Sequence, residues 1–288
     1  MPKVRTVVFP VAGLGTRMLP ATKTLPKEML PVVDKPIIQY AFEEARAAGI
    51  ERFVFVTGRG KALMEDHFDR AFELEDTLQK KGKLAELAAV GEWLPVPGEV
   101  VYTRQQAPLG LGHAVWCARH HVGREPFAVI LCDDLIRAEV PCLQQMVAAH
   151  EQTGGNIIAV EEVGYEQTKL YGVLDPGADD GKLVEVRGLV EKPDPASAPS
   201  RLGVIGRYIL MPEVFDHLET QQTGAGGEIQ LTDSMARLIE RQPFHGLRFD
   251  GQRFDCGSKI GYLEAILAFA LERDELRAGM RDLLARYR

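Results

Sequence analysis

The segment FPVAGLGTRMLPATKTLPKEMLP, residues 9–31, joins the end of an apolar run to two glycines and to the cations Arg17 and Lys27. Gly13 and Gly15 carry no side chains, so backbone N–H groups there can approach an anion closely. Arg17 offers a planar fork of donors and Lys27 a compact cation, and the pair suits a polyphosphate. The segment therefore predicts a β-strand that leads into a phosphate-binding loop.

Two familiar nucleotide-binding loops do not match this segment. The third glycine of a dinucleotide-binding G-x-G-x-x-G loop would fall at Met18, and Pro20 and Pro26 follow where a continuous helix should begin. The segment also lacks the G-x-x-x-x-G-K-[ST] spacing of an ATPase loop. The sequence therefore indicates a nucleotide that is held in a different way.

Strand-like and helix-like patterns alternate through the first half of the chain. Apolar positions recur at helical spacing from Ile37 to Ala48, with Pro36 suited to the first turn and Gly49 just beyond the end. Short apolar runs predict β-strands at 4–11, 52–57, 99–103 and 127–132. This alternation predicts an α/β fold with a Rossmann-like, mixed but mostly parallel central sheet that is flanked by helices.

The second half of the chain is richer in strands. Its apolar runs predict strands at 156–163, 171–175, 183–187 and 203–211. Turns are expected between them, including Asp175-Pro-Gly and Asp179-Asp-Gly. Amphipathic stretches predict one helix at 228–240 and a long one at 259–286. We expect a single α/β domain with a small β-rich lobe.

Composition excludes several classes of protein. The 288 residues carry a net charge of −7, which argues against an affinity that comes from coating nucleic-acid phosphates. Every apolar run is far shorter than the roughly 18–20 residues of a membrane span, and no secretory leader is expected before the first strand. The four cysteines form no CxxC pair, so they are interpreted as small apolar residues of a reduced, cytoplasmic protein.

Six further motifs occur in the order found in one enzyme family. They are VTGRGK at 56–61, EDHFD at 65–69, PLGLGHA at 108–114, LCDD at 131–134, VEKP at 190–193 and GGEIQLTD at 226–233. Together with AGLGTR at 12–17 and PKEMLPVVDKPIIQY at 26–40, they span nearly the whole chain. The sequence resembles the sugar nucleotidyltransferases, and EDHFD and GEIQLTD resemble the branch that uses UTP and glucose 1-phosphate.

This resemblance implies a fold and a reaction. The fold is that of nucleotide-diphospho-sugar transferases, with a nucleotide-binding half, a sugar-phosphate-binding half and a C-terminal helix at about 1–155, 156–258 and 259–288. The expected reaction transfers uridylyl from UTP to α-D-glucose 1-phosphate and releases pyrophosphate, with Mg²⁺ as cofactor. A homo-oligomer, dimer or tetramer, is also expected. Use of dTTP or ATP with another sugar, or a non-catalytic sugar-nucleotide sensor, stays open as an alternative.

The charged residues of the family map onto five positions of this sequence. The resemblance makes Asp133, directly after an apolar strand, one metal ligand and Asp255 the second. Lys27 is expected to hold the triphosphate, Arg17 to grip the departing pyrophosphate, and Lys192 to neutralise the sugar phosphate. No cysteine or serine lies in a nucleophile motif, so the displacement should be direct.

Glycines and amides are expected to bind the nucleoside. The positions assigned to the nucleotide are Ala12, Gly13, Gly15, Gln105 and Gly110. A glutamine can both donate to and accept from the edge of uracil, and Gln106 is an alternative to Gln105 because it is the next residue.

Three further positions complete the sugar-phosphate site. Gly172 and Glu191 are expected to contact the sugar, beside Lys192 at its phosphate. His113 is expected to pack or form a hydrogen bond, because a phosphate monoester is already ionised at pH 7 and needs no general base. Glu228 and Asp233 receive no role from the sequence.

Overall fold

The computed structural model describes residues 2–220, 222–224 and 227–287. Its strands are β1 (Thr6–Pro10), β2 (Pro31–Val32), β3 (Lys35–Pro36), β4 (Arg52–Thr57), β5 (Val100–Arg104), β6 (Phe127–Ile130), β7 (Asp134–Arg137), β8 (Asn156–Glu162), β9 (Gly172–Asp179), β10 (Leu183–Glu191), β11 (Leu202–Leu210), β12 (Phe244–Arg248) and β13 (Gln252–Asp255). Nine of these described strands form one mixed sheet in the order β5-β4-β1-β6-β11-β8-β12-β10-β9.

Helices cover both faces of this sheet. They are α1 (Ile37–Ala47), α2 (Ala62–His67), α3 (Phe72–Lys80), α4 (Leu84–Gly91), α5 (Leu111–Cys117), α6 (Arg119–Val122), α7 (Cys142–Thr153), α8 (Val214–Leu218), α9 (Leu231–Ile239), α10 (Lys259–Glu272) and α11 (Asp274–Ala285). In the part of the chain that the structure describes, no helix combines the length and the hydropathy of a membrane span.

The central strands are buried on both faces because successive residues of a strand point to opposite sides of the sheet. Phe9 of β1 belongs to the core that α1, α7 and α10 cover. Its neighbour Val8 belongs to the core on the other face, which α5, α8 and α9 cover. The predicted α/β class, with helices on both faces of a central sheet, is confirmed.

The carboxyl ends of β1, β4, β5 and β6 meet at one edge of the sheet because these strands run parallel. Thr57 at the end of β4 lies opposite Arg104 at the end of β5. Backbone bonds continue past the strands, from Val11 N to the Val56 carbonyl at 3.0 Å and from Gln105 N to the Thr57 carbonyl at 2.9 Å. Ligands of open α/β sheets bind outside this edge.

The second half of the chain extends the same sheet with mainly antiparallel pairings. β11 pairs antiparallel with β6 and β8, and β12 runs parallel to β8. Outside the main sheet, β13 pairs with β7, and this pairing places Asp255 opposite Asp134. The two chain halves are therefore joined by β7, which directly follows the predicted metal ligand Asp133, and by β13, which ends at the predicted metal ligand Asp255.

Two local predictions are wrong. The turn predicted at Asp175-Pro-Gly lies within β9, where the register against β10 shifts, and a proline is tolerated because β9 ends the strand order. The single helix predicted at 259–286 is two helices, because Arg273 adopts an extended backbone with φ −73° and ψ 123°. The predicted turn at Asp179-Asp-Gly does connect β9 to β10.

Candidate active site

The glycine loop after β1 folds back onto Lys27. Gly15 has a left-handed backbone with φ 66°, and a Cβ there would lie 3.1 Å from the Cβ of Lys27. The Thr22 hydroxyl donates to the Gly15 carbonyl at 2.7 Å and closes the loop. Both the backbone angle and the close approach require glycine at this position. Gly13, in contrast, is exposed, and a Cβ there would have no neighbour within 4 Å.

Lys27, Asp133 and Arg17 form one charged cluster. Lys27 Nζ donates to Asp133 Oδ2 at 2.5 Å, and Arg17 Nη2 lies 3.8 Å from the same oxygen. Burial alone would lower the pKa of the Lys27 ammonium, but the carboxylates of Asp133 and Glu28 outweigh it and raise this pKa. Burial alone would raise the pKa of the Asp133 carboxyl, but Lys27 and then Arg17 lower it. Both groups are therefore charged at neutral pH.

A buried ion pair anchors the turn that carries Lys27. Lys61 Nζ donates to Glu28 Oε2 at 2.7 Å, and the two side chains are only 7% and 2% exposed. Glu28 Oε1 is buried and has no hydrogen-bond partner among the described residues. Burial raises the pKa of the Glu28 carboxyl against the attraction of Lys61 and Lys27. The pair ties the Lys27 turn to the segment that follows β4.

Asp133 and Asp255 lie on two segments that meet at Gly257. Cys256 N donates to the Asp133 carbonyl at 2.8 Å, and Gly257 N donates to Asp255 Oδ1 at 2.9 Å. A Cβ at Gly257 would lie 3.0 Å from Asp133 Oδ2 and 2.6 Å from the Arg17 guanidinium. Glycine at this position therefore keeps the space between the Asp133 carboxylate and the Arg17 guanidinium open.

These two carboxylates suit a magnesium ion whose other ligands come from water and from a bound substrate. Protein-bound Mg²⁺ takes one or two carboxylates and completes its octahedral shell with waters and phosphate oxygens. Within residues 2–220, 222–224 and 227–287, no three His, Cys, Asp or Glu side chains are grouped to hold a metal by themselves. The donor set of Asp133 and Asp255, beside phosphate-binding cations, suits a metal that binds together with a nucleotide.

Asp134 does not belong to the charged cluster. Its Oδ1 accepts from Arg253 Nε at 2.6 Å, and its Oδ2 accepts from Gly206 N at 3.1 Å. Arg253 Nη1 also donates to the Tyr171 hydroxyl at 3.1 Å. Because Tyr171 directly precedes Gly172, Arg253 connects the segment of the predicted metal ligands to the predicted sugar site.

The residues predicted to bind the base lie together beyond the end of β5. Gln105 is buried, and its Nε2 contacts the Gly110 carbonyl and His113 Nδ1, each at 3.0 Å. Gln106, the alternative base reader, is exposed. Ala12 follows β1 at the same edge of the sheet and is half-buried. The structure thus brings Gln105 and Gly110 into direct contact.

The residues predicted to bind the sugar phosphate also meet. Gly172 lies opposite Glu191 in the β9–β10 pairing, and a Cβ at Gly172 would lie 3.4 Å from Glu191 Oε2 and 3.2 Å from the Thr232 hydroxyl. Lys192 Nζ pairs with Glu191 Oε1 at 3.1 Å. Lys192 also has a left-handed backbone with φ 47°, which directs the chain into the turn after β10.

The segment 228–232 connects the residues predicted to bind the base with those predicted to bind the sugar phosphate. Ile229 lies against the glycines before α5: a Cβ at Gly110 would lie 2.9 Å from the Ile229 carbonyl, and Gly112 N donates to that carbonyl at 2.8 Å. At the other end of the segment, Thr232 contacts the sugar-binding group. Part of the GGEIQLTD motif therefore holds the two groups in a fixed relation.

Some quoted motif residues lie apart from these groups. Asp233, in contrast, is near enough to the predicted sugar site that the Glu191 carboxylate, after burial, raises the pKa of Asp233. The EDHFD motif at 65–69 lines a separate cavity of about 1280 Å³ beside β5, and none of the predicted site residues lines that cavity. Gly226, the first residue of GGEIQLTD, lies outside the described residues.

Four residues complete the site but were not among its predicted members. They are Glu28, Lys61, Thr232 and Gly257. The first three stand in the quoted motifs, and Gly257 follows Asp255-Cys in an ordinary turn sequence. The motifs therefore pointed to three of these residues. The side chain or backbone group that each residue contacts becomes known only from the fold.

Comparison with known proteins agrees with this geometry. The family model "Nucleotidyl transferase" matches residues 8–271. The chain belongs to the nucleotidyl transferase family. Both the family recognised from the motifs and the expected enzyme class are confirmed.

Individual nucleotidyl transferases resemble the chain over most of its length. A relative from Komagataeibacter xylinus, "UTP--glucose-1-phosphate uridylyltransferase", is 54% identical over 257 residues, which cover 89% of this chain and 90% of the relative. The solved structure "UTP-bound UGPase" from Acinetobacter baumannii has a TM-score of 0.92 at 41% identity and covers 99% of this chain and 100% of its own. A UDP-glucose pyrophosphorylase complexed with UDP-glucose has a TM-score of 0.84 at 42% identity and covers 94% and 100%.

Proposed function

We propose that this nucleotidyl transferase moves the uridylyl group of UTP to α-D-glucose 1-phosphate, forming UDP-glucose and pyrophosphate. Relatives named for this reaction, or for UDP-glucose formation, match most of the chain, and they confirm the reaction expected from the motifs. In this chain the supporting observation is the charged cluster in which Lys27 and Arg17 share one oxygen of Asp133. The cluster lies at the edge where the parallel strands end, the usual ligand side of an α/β sheet.

Two polyanions must meet in this reaction, so the barrier falls mainly through positioning and charge neutralisation. Lys27 exchanges Asp133 for an oxygen of the α-phosphate and offsets the charge that develops there. Arg17, whose side chain is 65% exposed, binds the β- and γ-phosphates. Lys192 neutralises the phosphate of the sugar. An oxygen of that phosphate attacks the α-phosphorus as the bond to the departing pyrophosphate breaks.

The state of the cysteine thiols supports a direct displacement. Burial raises the pKa of all four cysteine thiols, well above the ordinary value at the fully buried Cys132. Thiolate is the nucleophilic form of cysteine, so these side chains are poor nucleophiles at neutral pH. A covalent intermediate on cysteine is therefore disfavoured, which supports transfer of the uridylyl group from UTP to the sugar phosphate in one step.

Asp133 and Asp255 are the residues that would hold Mg²⁺, with phosphate oxygens as its other ligands. The ion would supply Lewis-acid polarisation of the α-phosphate and neutralise part of the negative charge. The open space at Gly257, between Asp133 and Arg17, supports this assignment.

Neutral groups of the substrates bind on either side of the charged cluster. Gln105 and the backbone near Ala12 and Gly110 bind uracil. Glu191 accepts hydrogen bonds from glucose hydroxyls, and the absence of a side chain at Gly172 lets the sugar approach the strand. The hydroxyl of Thr232, beside Gly172, adds a further polar contact on that side.

A homo-oligomer is part of the proposal. The side chains of Ile260 and Leu263 on α10 are 76% and 54% exposed, although Ala265 of the same helix is fully buried. Large apolar side chains left on one helix are typical of a subunit interface. Sedimentation equilibrium should give a mass of two or four chains, and a mass of 31.9 kDa, that of one chain, would contradict this.

The proposed location is the cytoplasm. All four cysteines are free thiols, and free buried cysteines suit a reducing compartment. Cell fractionation should place the protein with cytoplasmic markers, and recovery in a secreted fraction would contradict the assignment.

An activity matrix tests the reaction. UTP, dTTP, CTP and ATP are each combined with glucose 1-phosphate, galactose 1-phosphate and mannose 1-phosphate, with and without Mg²⁺, and pyrophosphate release is measured. We expect the highest rate with UTP and glucose 1-phosphate, and loss of that rate without the ion. Highest activity with another pair would change the assigned substrates. Binding of nucleotide and sugar phosphate without pyrophosphate release, for every combination tested, would favour a sugar-nucleotide sensor.

A further inference from the structure

The side-chain amide of Gln105 is held by two acceptors. Its Nε2 lies 3.0 Å from the Gly110 carbonyl and 3.0 Å from Nδ1 of His113 on α5. Gln105 is buried, with 9% of its surface exposed. Both amide protons are therefore engaged with protein atoms that come from the neighbouring loop and helix.

The orientation of this amide follows from the chemistry of its neighbours. A backbone carbonyl can only accept, so the face of Gln105 that meets Gly110 must be the NH₂ group. The second N–H then donates to His113 Nδ1, which requires a neutral ring with its proton on Nε2. Burial and the nearby charge of Arg119 lower the pKa of His113 and favour this neutral form.

The consequence appears at the other end of the amide. The hydrogen bonds of the Gln105 side chain to described residues all use Nε2, and Oε1 is not among the fully buried atoms that lack a partner, so this oxygen is open to a ligand. With both N–H groups used, this oxygen is the group that Gln105 can offer to a base. A glutamine that was free to rotate could offer either an acceptor or a donor.

We propose that His113 is a positioning residue for base selection: it fixes the Gln105 amide so that a carbonyl oxygen, and not the NH₂ group, faces the pyrimidine. This inference rests on the proposed function and deepens it. Uracil presents an N3–H donor to that oxygen. Cytosine presents an unprotonated N3, and two acceptors facing each other in a buried site exclude it.

His113 is well placed to hold a fixed orientation. Its ring stacks on Trp116 with centroids 5.7 Å apart. The Arg119 guanidinium also packs over the Trp116 ring, 3.5 Å from the ring centroid. The residue directly before His113, Gly112, donates its N–H to the Ile229 carbonyl at 2.8 Å. Cys117 Sγ lies 4.0 Å from Nδ1, a longer contact than that of the amide. The helix thus presents Nδ1 to Gln105 from a packed position.

The test is the ratio of kcat/KM for UTP to kcat/KM for CTP. His113→Phe keeps an aromatic ring against Trp116 but removes the acceptor, and this ratio should fall by about tenfold, the size of one hydrogen bond. His113→Asn, whose Oδ1 can accept in place of Nδ1, should restore most of the ratio. His121→Phe changes an exposed histidine nearby and should leave the ratio unchanged.

Three outcomes separate the possibilities. An unchanged ratio in His113→Phe, or an equal fall in His113→Phe and His113→Asn, would overturn the positioning role while leaving the proposed reaction intact. A wild-type enzyme that does not use UTP would overturn the proposed function itself. If His113→Phe does not fold, nitrogen NMR of the wild-type ring decides: a proton on Nε2 is expected, and a neutral ring with its proton on Nδ1 would overturn the proposal.

Discussion

At the scale of single residues, Lys27 carries the most direct prediction. Its ammonium lies 2.5 Å from Asp133 Oδ2, on a turn that the buried pair of Glu28 and Lys61 anchors. Lys27→Ala should lower kcat by about 10²–10³-fold, because it removes one charge contact to the transition state. The measurement is steady-state pyrophosphate release with UTP and glucose 1-phosphate.

Lys23 provides the control for this prediction. It lies on the same loop but is exposed, so Lys23→Ala should change kcat by less than about twofold. Similar losses in the two variants would show a general effect of loop charge and would contradict the specific role of Lys27.

The sequence predicts the charged residues of the candidate site better than the residues that position them. Lys27 and Asp133 stand in motifs beside a strand end, so their chemistry and their edge of the sheet are both readable. Gly257 could not be assigned in the same way, because its role depends on the approach of Arg17 from a distant loop. His113 was correctly predicted to hydrogen-bond, but its partner Gln105 becomes known only from the fold.

At the scale of secondary-structure elements, one buried arginine connects a strand, a helix and the Asp133 turn. Arg207 of β11 is fully buried and its Nη2 pairs with Glu44 of α1 at 2.8 Å. It also donates to the Leu131 carbonyl at 2.9 Å and the Asp134 carbonyl at 2.8 Å. These carbonyls lie on both sides of Asp133 in the sequence, so Arg207 fixes the turn that presents this proposed metal ligand.

Arg207→Met should lower the free energy of unfolding by about 3–5 kcal/mol, because the Glu44 carboxylate is left buried without its partner. Unfolding in urea measures this change. Arg201→Met is the matched control, since Arg201 pairs with Glu162 on the surface before the same strand and should contribute about 0–1 kcal/mol. A loss at Arg207 no larger than that at Arg201 would contradict the account.

The C-terminal helices show why some element boundaries escape prediction. Residues 272–274 contain neither proline nor glycine, so this segment lacks the residues that usually mark the end of a helix. In the structure, Arg273 pairs with the distant Asp34, and Arg277 donates to the last carbonyls of α10 at 2.9 and 2.6 Å. These contacts satisfy the helix end. The ends of α1, in contrast, have local signals and were predicted correctly.

At the scale of the whole molecule, neither half of the chain carries a complete site. β6 of the first half pairs with β11 of the second, and Asp133 and Asp255 come from different halves. Arg253 joins the segment of the proposed metal ligands to the proposed sugar site. The segment 228–232 joins the proposed base site to the proposed sugar site. The resemblance implied a nucleotide-binding half and a sugar-phosphate-binding half, whereas residue patterns alone predicted the alternation of strands and helices and a phosphate-binding loop after the first strand.

The stereochemistry at the α-phosphorus tests the direct displacement most sharply. UTP with one α-phosphate oxygen replaced by sulfur, as a single diastereomer, is converted with glucose 1-phosphate, and the configuration of the sulfur-bearing product is determined. The account predicts inversion, because one in-line attack transfers the uridylyl group. Retention would mean that a residue of the chain first takes up the uridylyl group, and this would contradict the account.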